Sequence, residues 1–385
     1  MTPLIHALIA LALLGITGGT PRAPTTTVAT ESPRQFALAA ADHAALPEVD
    51  SLALTDLADR AFPSNRALRV AYYFPQDPTS LDSLRANIRS LDLVALHTLT
   101  IDDTGTLHTI PATDAERFLR TTNVMVMPSV MVTSKAAGHE IVTVPEVANR
   151  AKSQLVEAAM AWDGLALDFE GLDAADRPYL SAFVNLIGQA LHERGKYYAV
   201  ALPAKTSDVK TGWAGSYDYA AIAQAADLYL VMAYGFTTSG SSVPGSTAPL
   251  PWMDRSMGYA VSEIPGDRLI LGVPFYGYDW NVTKGPPARA LRHRDTRQLL
   301  ERTGAVPSID PETASATFQY TEGNETHEVW YEDDRSLGPK LQLLRKYGLR
   351  GVGAWRLGQE DPKAWAVWDQ MLASPSVVTS QVPQP

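Results

Sequence analysis

The stretch WDGLALDFEGLD, Trp162 to Asp173, is an apolar run that carries two carboxylates, Asp168 and Glu170. Side chains alternate along a strand, so Leu165, Leu167 and Phe169 share one face, while Ala166, Asp168 and Glu170 share the other. A bulky apolar face opposite a face of small and acidic residues suits a closed parallel barrel. There the bulky set packs against surrounding helices, and the second set climbs the interior to the C-terminal mouth. Glu170, last in the series, reaches the rim.

Working outward from this strand, β-branched and aromatic runs alternate with amphipathic ones from Ala67 onward. ALRVAYYF precedes SLDSLRANIRSL, NVMVMPSVMV precedes VPEVANRAKSQLVEAAMAW, and YYAVALPA precedes YDYAAIAQAA. GVGAWRLG and PKAWAVWDQML close the series. Eight strand-helix units result, and the pattern predicts a (β/α)8 TIM barrel with a small insertion between strand 7 and strand 8, where ATFQYTEGNETHEVWYED lies. The alternative is an open doubly wound sheet. In its nucleotide-binding form it needs a Gly-rich phosphate loop after a strand, and none is present.

The chain has 385 residues, 45% of them hydrophobic, enough for one barrel-sized domain. A formal net charge of −10 argues against a nucleic-acid partner, which would require a basic surface. Cysteine is absent, so disulfides, thiolate metal sites and a cysteine nucleophile are excluded. Residues 1–19 are apolar and of signal-peptide length. The first Arg, Arg22, lies beyond the run, which makes an uncleaved N-terminal anchor the alternative. Residues 20–60 read as a flexible linker, 61–373 as the barrel domain and 374–385 as a disordered tail. The expected location is secreted or extracytoplasmic.

Several strand ends bring aromatic groups toward the same mouth as Asp168 and Glu170: Tyr234 in VMAYGF, Tyr276, Tyr278, Asp279 and Trp280 in GVPFYGYDW, and Trp355 in GVGAWRLG. Clustered aromatic faces stack on sugar rings, with hydroxyls and acids left for the polar edges. A carboxyl enclosed by aromatics beside a second carboxylate has a raised pKa and suits general-acid work. The bland alternative is that the two acids form a structural pair. His97 reads as a core histidine rather than a mouth residue. No G-x-S-x-G elbow, no H-E-x-x-H pair and no metal-ligand spacing is present, so neither a metal nor a cofactor is expected.

At these residues the sequence resembles glycoside hydrolase family 18, the chitinase-like barrels, in its bacterial cell-wall and spore-cortex branch. DGLALDFE matches the fourth-strand motif D-G-x-D-x-D-x-E at Asp163, Gly164, Asp168 and Glu170. MAYGF is similar to the sixth-strand motif, and LGVPFYGYDW to the seventh-strand segment. The resemblance implies hydrolysis of β-1,4-linked N-acetylglucosamine polymers, peptidoglycan or chitin-like, with retention and with the substrate's own acetamido oxygen as nucleophile. It also implies that Glu170 is the general acid and base, that Asp168 orients the acetamido group, that Tyr234 hydrogen-bonds its oxygen and that Trp355 floors the sugar. Two positions depart from the family pattern, Ala166 for an Asp and Gly235 for an Asp or Asn. The alternative function is a non-catalytic, lectin-like glycan-binding barrel.

Overall fold

The structure, a computed structural model, describes residues 61–372. The expected leader or anchor, the linker and the tail beyond residue 372 lie outside them. The strands of the first half are β1 (Leu68–Tyr73), β2 (Leu93–Ile101), β3 (Leu107–Thr109), β4 (Met125–Val132), β5 (Gly164–Leu167), β6 (Tyr197–Pro203) and β7 (Leu228–Met232). Those of the second half are β8 (Leu269–Pro274), β9 (Tyr276–Asn281), β10 (Arg289–Arg292), β11 (Ser308–Ile309), β12 (Ala316–Glu322), β13 (Glu325–Tyr331) and β14 (Gly351–Trp355). Parallel pairing runs β1-β14-β8-β7-β6-β5-β4-β2, and β2 returns to β1 at Val70↔Leu93, so the barrel closes with eight strands. β3 is an antiparallel addition to β2.

The barrel has two apolar layers, and β5 shows why. Leu165, Leu167 and Phe169 belong to the layer between sheet and helices, where Phe169 stacks on Phe183 at 5.7 Å. Ala166 belongs to the lumen, with Val70, Tyr72, Met127, Leu230 and Ile270. A void of about 20 Å³ remains there, bordered by Tyr72, Met127 and Ala166 among others. Gly164 is required by close approach, because a Cβ there would lie 2.0 Å from the Tyr197 carbonyl oxygen. Asp163, just before it, accepts from the Val126 N–H at 2.8 Å and ties β5 to β4.

Three local details differ from the sequence pattern. The segment after β4 forms two helices, Lys135–Thr143 and Pro145–Met160, because Pro145 cannot continue a helix but can start one. The helix expected near Tyr217 shrinks to one turn, Tyr219–Ile222, while Leu250–Glu263 is a full helix. The seventh-strand segment LGVPFYGYDW is two strands rather than one: β8 ends at Pro274 and β9 leaves the barrel. β9 joins β10 to β13 in a five-stranded antiparallel sheet ordered β10-β9-β13-β12-β11, which, with the helix His293–Thr303, is the insertion between barrel strands 7 and 8. It has its own core around Leu299, Phe318, Val329 and Tyr331.

Candidate active site

Asp168 and Glu170 follow the last residue of β5. The Asp168 N–H still donates to the Val130 carbonyl at 2.9 Å, so strand geometry carries Asp168 into the mouth. Asp168 is 3% exposed, and its Oδ1 has no hydrogen-bond partner among the described residues. Burial, and then the charge of Glu170, push its pKa well above the usual carboxylate range. Glu170 sits at the rim with exposed surface, yet protein packed around the carboxyl desolvates it and raises its pKa to about 7. Water therefore reaches the side chain at the rim, while enough protein surrounds the carboxyl to disfavour its charge.

Tyrosine hydroxyls surround the pair. Burial raises Tyr72, Tyr217 and Tyr234 well above the usual phenol value, and the charges of both Asp168 and Glu170 add to it. Tyr276 is raised in the same way by burial, with Glu170 among the smaller contributions. These hydroxyls therefore stay protonated as hydrogen-bond donors. Tyr217 spends its proton on the Phe169 carbonyl at 2.8 Å, between the two acids in sequence. Tyr234 stands edge-on to Tyr276 at 6.4 Å, and the Tyr276 hydroxyl is 3.2 Å from Thr247 Oγ1.

The half-buried Trp355, at the end of β14, supplies a flat face. Its indole packs on Tyr72 at 5.3 Å, His97 at 5.2 Å and Phe74 at 6.5 Å. The next residue, Arg356, lies over Phe74 at 4.5 Å and donates to Asp77 at 2.8 Å, and Asp77 also caps the helix Pro78–Asn87 through Thr79 N–H. The floor is thus held from below by rings and from the side by a buried ion pair. His97 is buried at 1%, and neither ring nitrogen has a partner among the described residues. Burial, with Arg356 adding, lowers its pKa to about 3 and keeps it neutral.

The structure brings Asp168, Glu170, Tyr234, Tyr276 and Trp355 together. Tyr278 continues the wall, at 5.4 Å from Tyr276, and Trp280 follows at 5.4 Å from Tyr278. Trp280 is only 2% exposed, however, and its indole N–H donates to the Ser241 carbonyl at 3.2 Å, so it pins the loop after β7 rather than facing the mouth. Asp279 points to the other face of β9. There it accepts from Tyr320 at 2.8 Å and Arg289 at 3.0 Å, with His327 at 2.9 Å, and belongs to the insertion's interior. Gly235 adopts φ +77, with open space where a Cβ would stand and its N–H on Thr247 Oγ1. The backbone itself, not only a missing side chain, sets this position apart. Sequence reasoning missed Tyr72 and Tyr217. Alternation along β1 puts Tyr72 in the lumen with Val70, which was a usable signal; Tyr217 lies in a loop and gave none. Among the described residues, no group of three or more His, Asp or Glu side chains is arranged to hold a metal ion.

A closed barrel whose mouth holds a carboxyl of raised pKa, ringed by tyrosine donors and floored by an indole, is the arrangement of a glycosidase. The family model for Glycosyl hydrolases family 18 matches residues 134–360. The chain belongs to that family. It is 29% identical over 273 residues to the cortical fragment-lytic enzyme of Bacillus subtilis, covering 68% of this chain and 63% of that protein. Among solved structures, a chitinase from Chromobacterium violaceum superposes with a TM-score of 0.74 at 31% identity, covering 79% of this chain and 98% of that one. The spore cortex-lytic enzyme SleL of Bacillus megaterium gives 0.73 at 26%, covering 80% and 75%. The chain spans 47 to 64% of the length of the first curated relatives it matches.

Proposed function

We propose that this glycosidase cleaves β-1,4-linked N-acetylglucosamine-containing polysaccharide outside the cytoplasm, peptidoglycan ahead of chitin, with retention and by substrate assistance. Glu170 protonates the leaving oxygen and then activates water. The substrate's acetamido oxygen attacks C1, Asp168 holds the acetamido N–H, Tyr234 donates to its oxygen and Trp355 carries the sugar face. One observation supports this above the rest: Glu170 is exposed at the rim, with desolvation holding its carboxyl up at about 7, and Asp168, two residues before it on the same face, is buried at 3%. A double-displacement enzyme needs a second carboxylate positioned to attack, whereas substrate assistance needs one proton donor and one orienting group. The preference for peptidoglycan is supported by the cortical fragment-lytic and spore cortex-lytic names among its relatives.

Incubating the purified protein with peptidoglycan, chitin oligomers and a deacetylated polymer, with mass analysis of the products, tests the reading. New reducing ends from the acetylated substrates, largest for peptidoglycan, and none from the deacetylated polymer are expected. Equal cleavage of the deacetylated polymer would remove the acetamido nucleophile from the mechanism, and no product from any substrate would leave only a glycan-binding barrel.

The pH profile follows from the same groups. The donor must be protonated, and its pKa is raised to about 7, so kcat/KM is expected to hold through mildly acidic pH and to fall as pH rises through about 7. The limb belongs to the Asp168–Glu170 pair rather than to one residue. A profile still rising at pH 8 would contradict it.

A further inference from the structure

Lys205 lies two residues beyond β6 and is buried, with its ammonium on no exposed surface. Nζ donates to the Tyr217 carbonyl at 2.7 Å and stands over the ring of Tyr219 at 4.5 Å and that of Tyr259 at 5.5 Å. The carboxylate paired with it, Asp208, is 3.7 Å away and also serves Arg177 and Lys210. Burial, with Arg177 adding, lowers the ammonium's pKa to about 8. Taking an ammonium out of water is costly, and a methionine would fill the same space without that cost. Of the groups around the charge, the Tyr217 carbonyl is the one that takes a hydrogen bond from it, at 2.7 Å.

That carbonyl belongs to the tyrosine that touches the acid-bearing turn. Tyr217 is 1% exposed and donates its hydroxyl to the Phe169 carbonyl at 2.8 Å. Glu170, the next residue, makes no side-chain hydrogen bond to any described residue, so the backbone turn that carries it is what fixes the point from which its carboxyl reaches out. A reacting group misplaced by about 1 Å costs on the order of 10²-fold in rate.

We propose that Lys205 and Tyr217 form a strut, from the loop after β6 to the Phe169 carbonyl, that positions the Glu170 carboxyl for proton transfer. Both are positioning residues, and the inference rests on the reading of Glu170 as the proton donor.

The test is a double-variant cycle of Lys205→Met and Tyr217→Phe, assayed for kcat and KM on the substrate that the wild type cleaves best, with the melting temperature of each variant recorded. Each single variant is expected to lose roughly tenfold in kcat with KM nearly unchanged, and the double variant to be no slower than the worse single, because both cut the same strut. If Lys205→Met does not fold, Tyr217→Phe, which removes one oxygen, decides alone. Wild-type kcat in Tyr217→Phe, or losses that multiply in the double variant, would overturn the strut. Glu170→Gln runs beside them: full activity there would overturn the proton-donor reading itself. An inactive Glu170→Gln with an unaffected Tyr217→Phe would overturn only the strut.

Discussion

Glu170→Gln is expected to lower kcat by at least about 10²-fold, while KM changes little. The substitution keeps the shape of the side chain and removes the transferable proton, so glycan binding on Trp355 and the tyrosines should survive. The loss should come without a loss of fold. Glu170 has a folded-state pKa raised to about 7 by desolvation, above the unfolded value of about 4.3. Below the unfolded value the carboxyl is neutral in both states and carries no penalty; between about 4.3 and about 7 the unfolded chain ionises while the folded one stays protonated, so stability falls across that window and the penalty is constant above it. Glutamine never ionises. The variant should therefore match the wild type in melting temperature near pH 4 and equal or exceed it at pH 8. Turnover within tenfold of wild type would sink the assignment of Glu170, and a lower melting temperature at pH 8 would show that its charge is better compensated than the mouth suggests.

Lys340→Met is expected to cost about 3–5 kcal/mol of stability, the usual consequence of leaving one half of a buried ion pair behind. Lys340 lies in the helix Asp334–Tyr347 and is fully buried. Its ammonium donates to Glu332 Oε1 and to Ser315 Oγ, and Ser315 sits 2.6 Å from Ser246 Oγ. Burial lowers the pKa of Lys340, with Glu332 pulling the other way. Four segments meet here: the end of β13, the residue before β12, the helix, and the loop after β7 that carries Thr247 to Tyr276. Urea unfolding should show the loss in the single variant. Lys340→Met combined with Glu332→Leu should recover much of it, since no lone charge remains. A single variant within about 1 kcal/mol of wild type would mean that the pair contributes little.

The barrel was legible because its strands are buried on both faces and punctuated by helical patterns, and because alternation in GLALDFE fixes which side chains enter the lumen. The same rule carried Asp168, Glu170, Tyr234 and Trp355 to one mouth. It failed where chain direction changes without a change in residue type. LGVPFYGYDW is apolar and aromatic throughout, and nothing in it marks Phe275 as the point where the chain leaves the barrel. Phe275 packs outward on Trp365 and Trp368, at 5.7 Å from each, and the next strand belongs to another sheet. Grouping Asp279 with its aromatic neighbours overlooked a signal already present, since a period of two sets Asp279 opposite Tyr278 and Trp280. Tyr217 was illegible for a different reason. It lies far past β6 in a loop, where position in space depends on long-range contacts rather than local pattern.

Ala166 has a consequence for where protons can go. The lumen beneath Asp168 is lined by Val70, Met127, Ala166, Leu230 and Ile270, and its small void offers the hydroxyl-bearing Tyr72 and otherwise hydrocarbon. Proton relays need a string of donors and acceptors, and among the described residues lining that void Tyr72 alone carries a hydroxyl. Like a flask stoppered at its base, the site is expected to exchange protons with solvent through the mouth, where Glu170 is exposed and where the proposed glycan would lie. In the proposed binding mode, a glycan chain lying across that opening would slow the exchange of the pair's protons with bulk water without excluding the one water that hydrolysis needs.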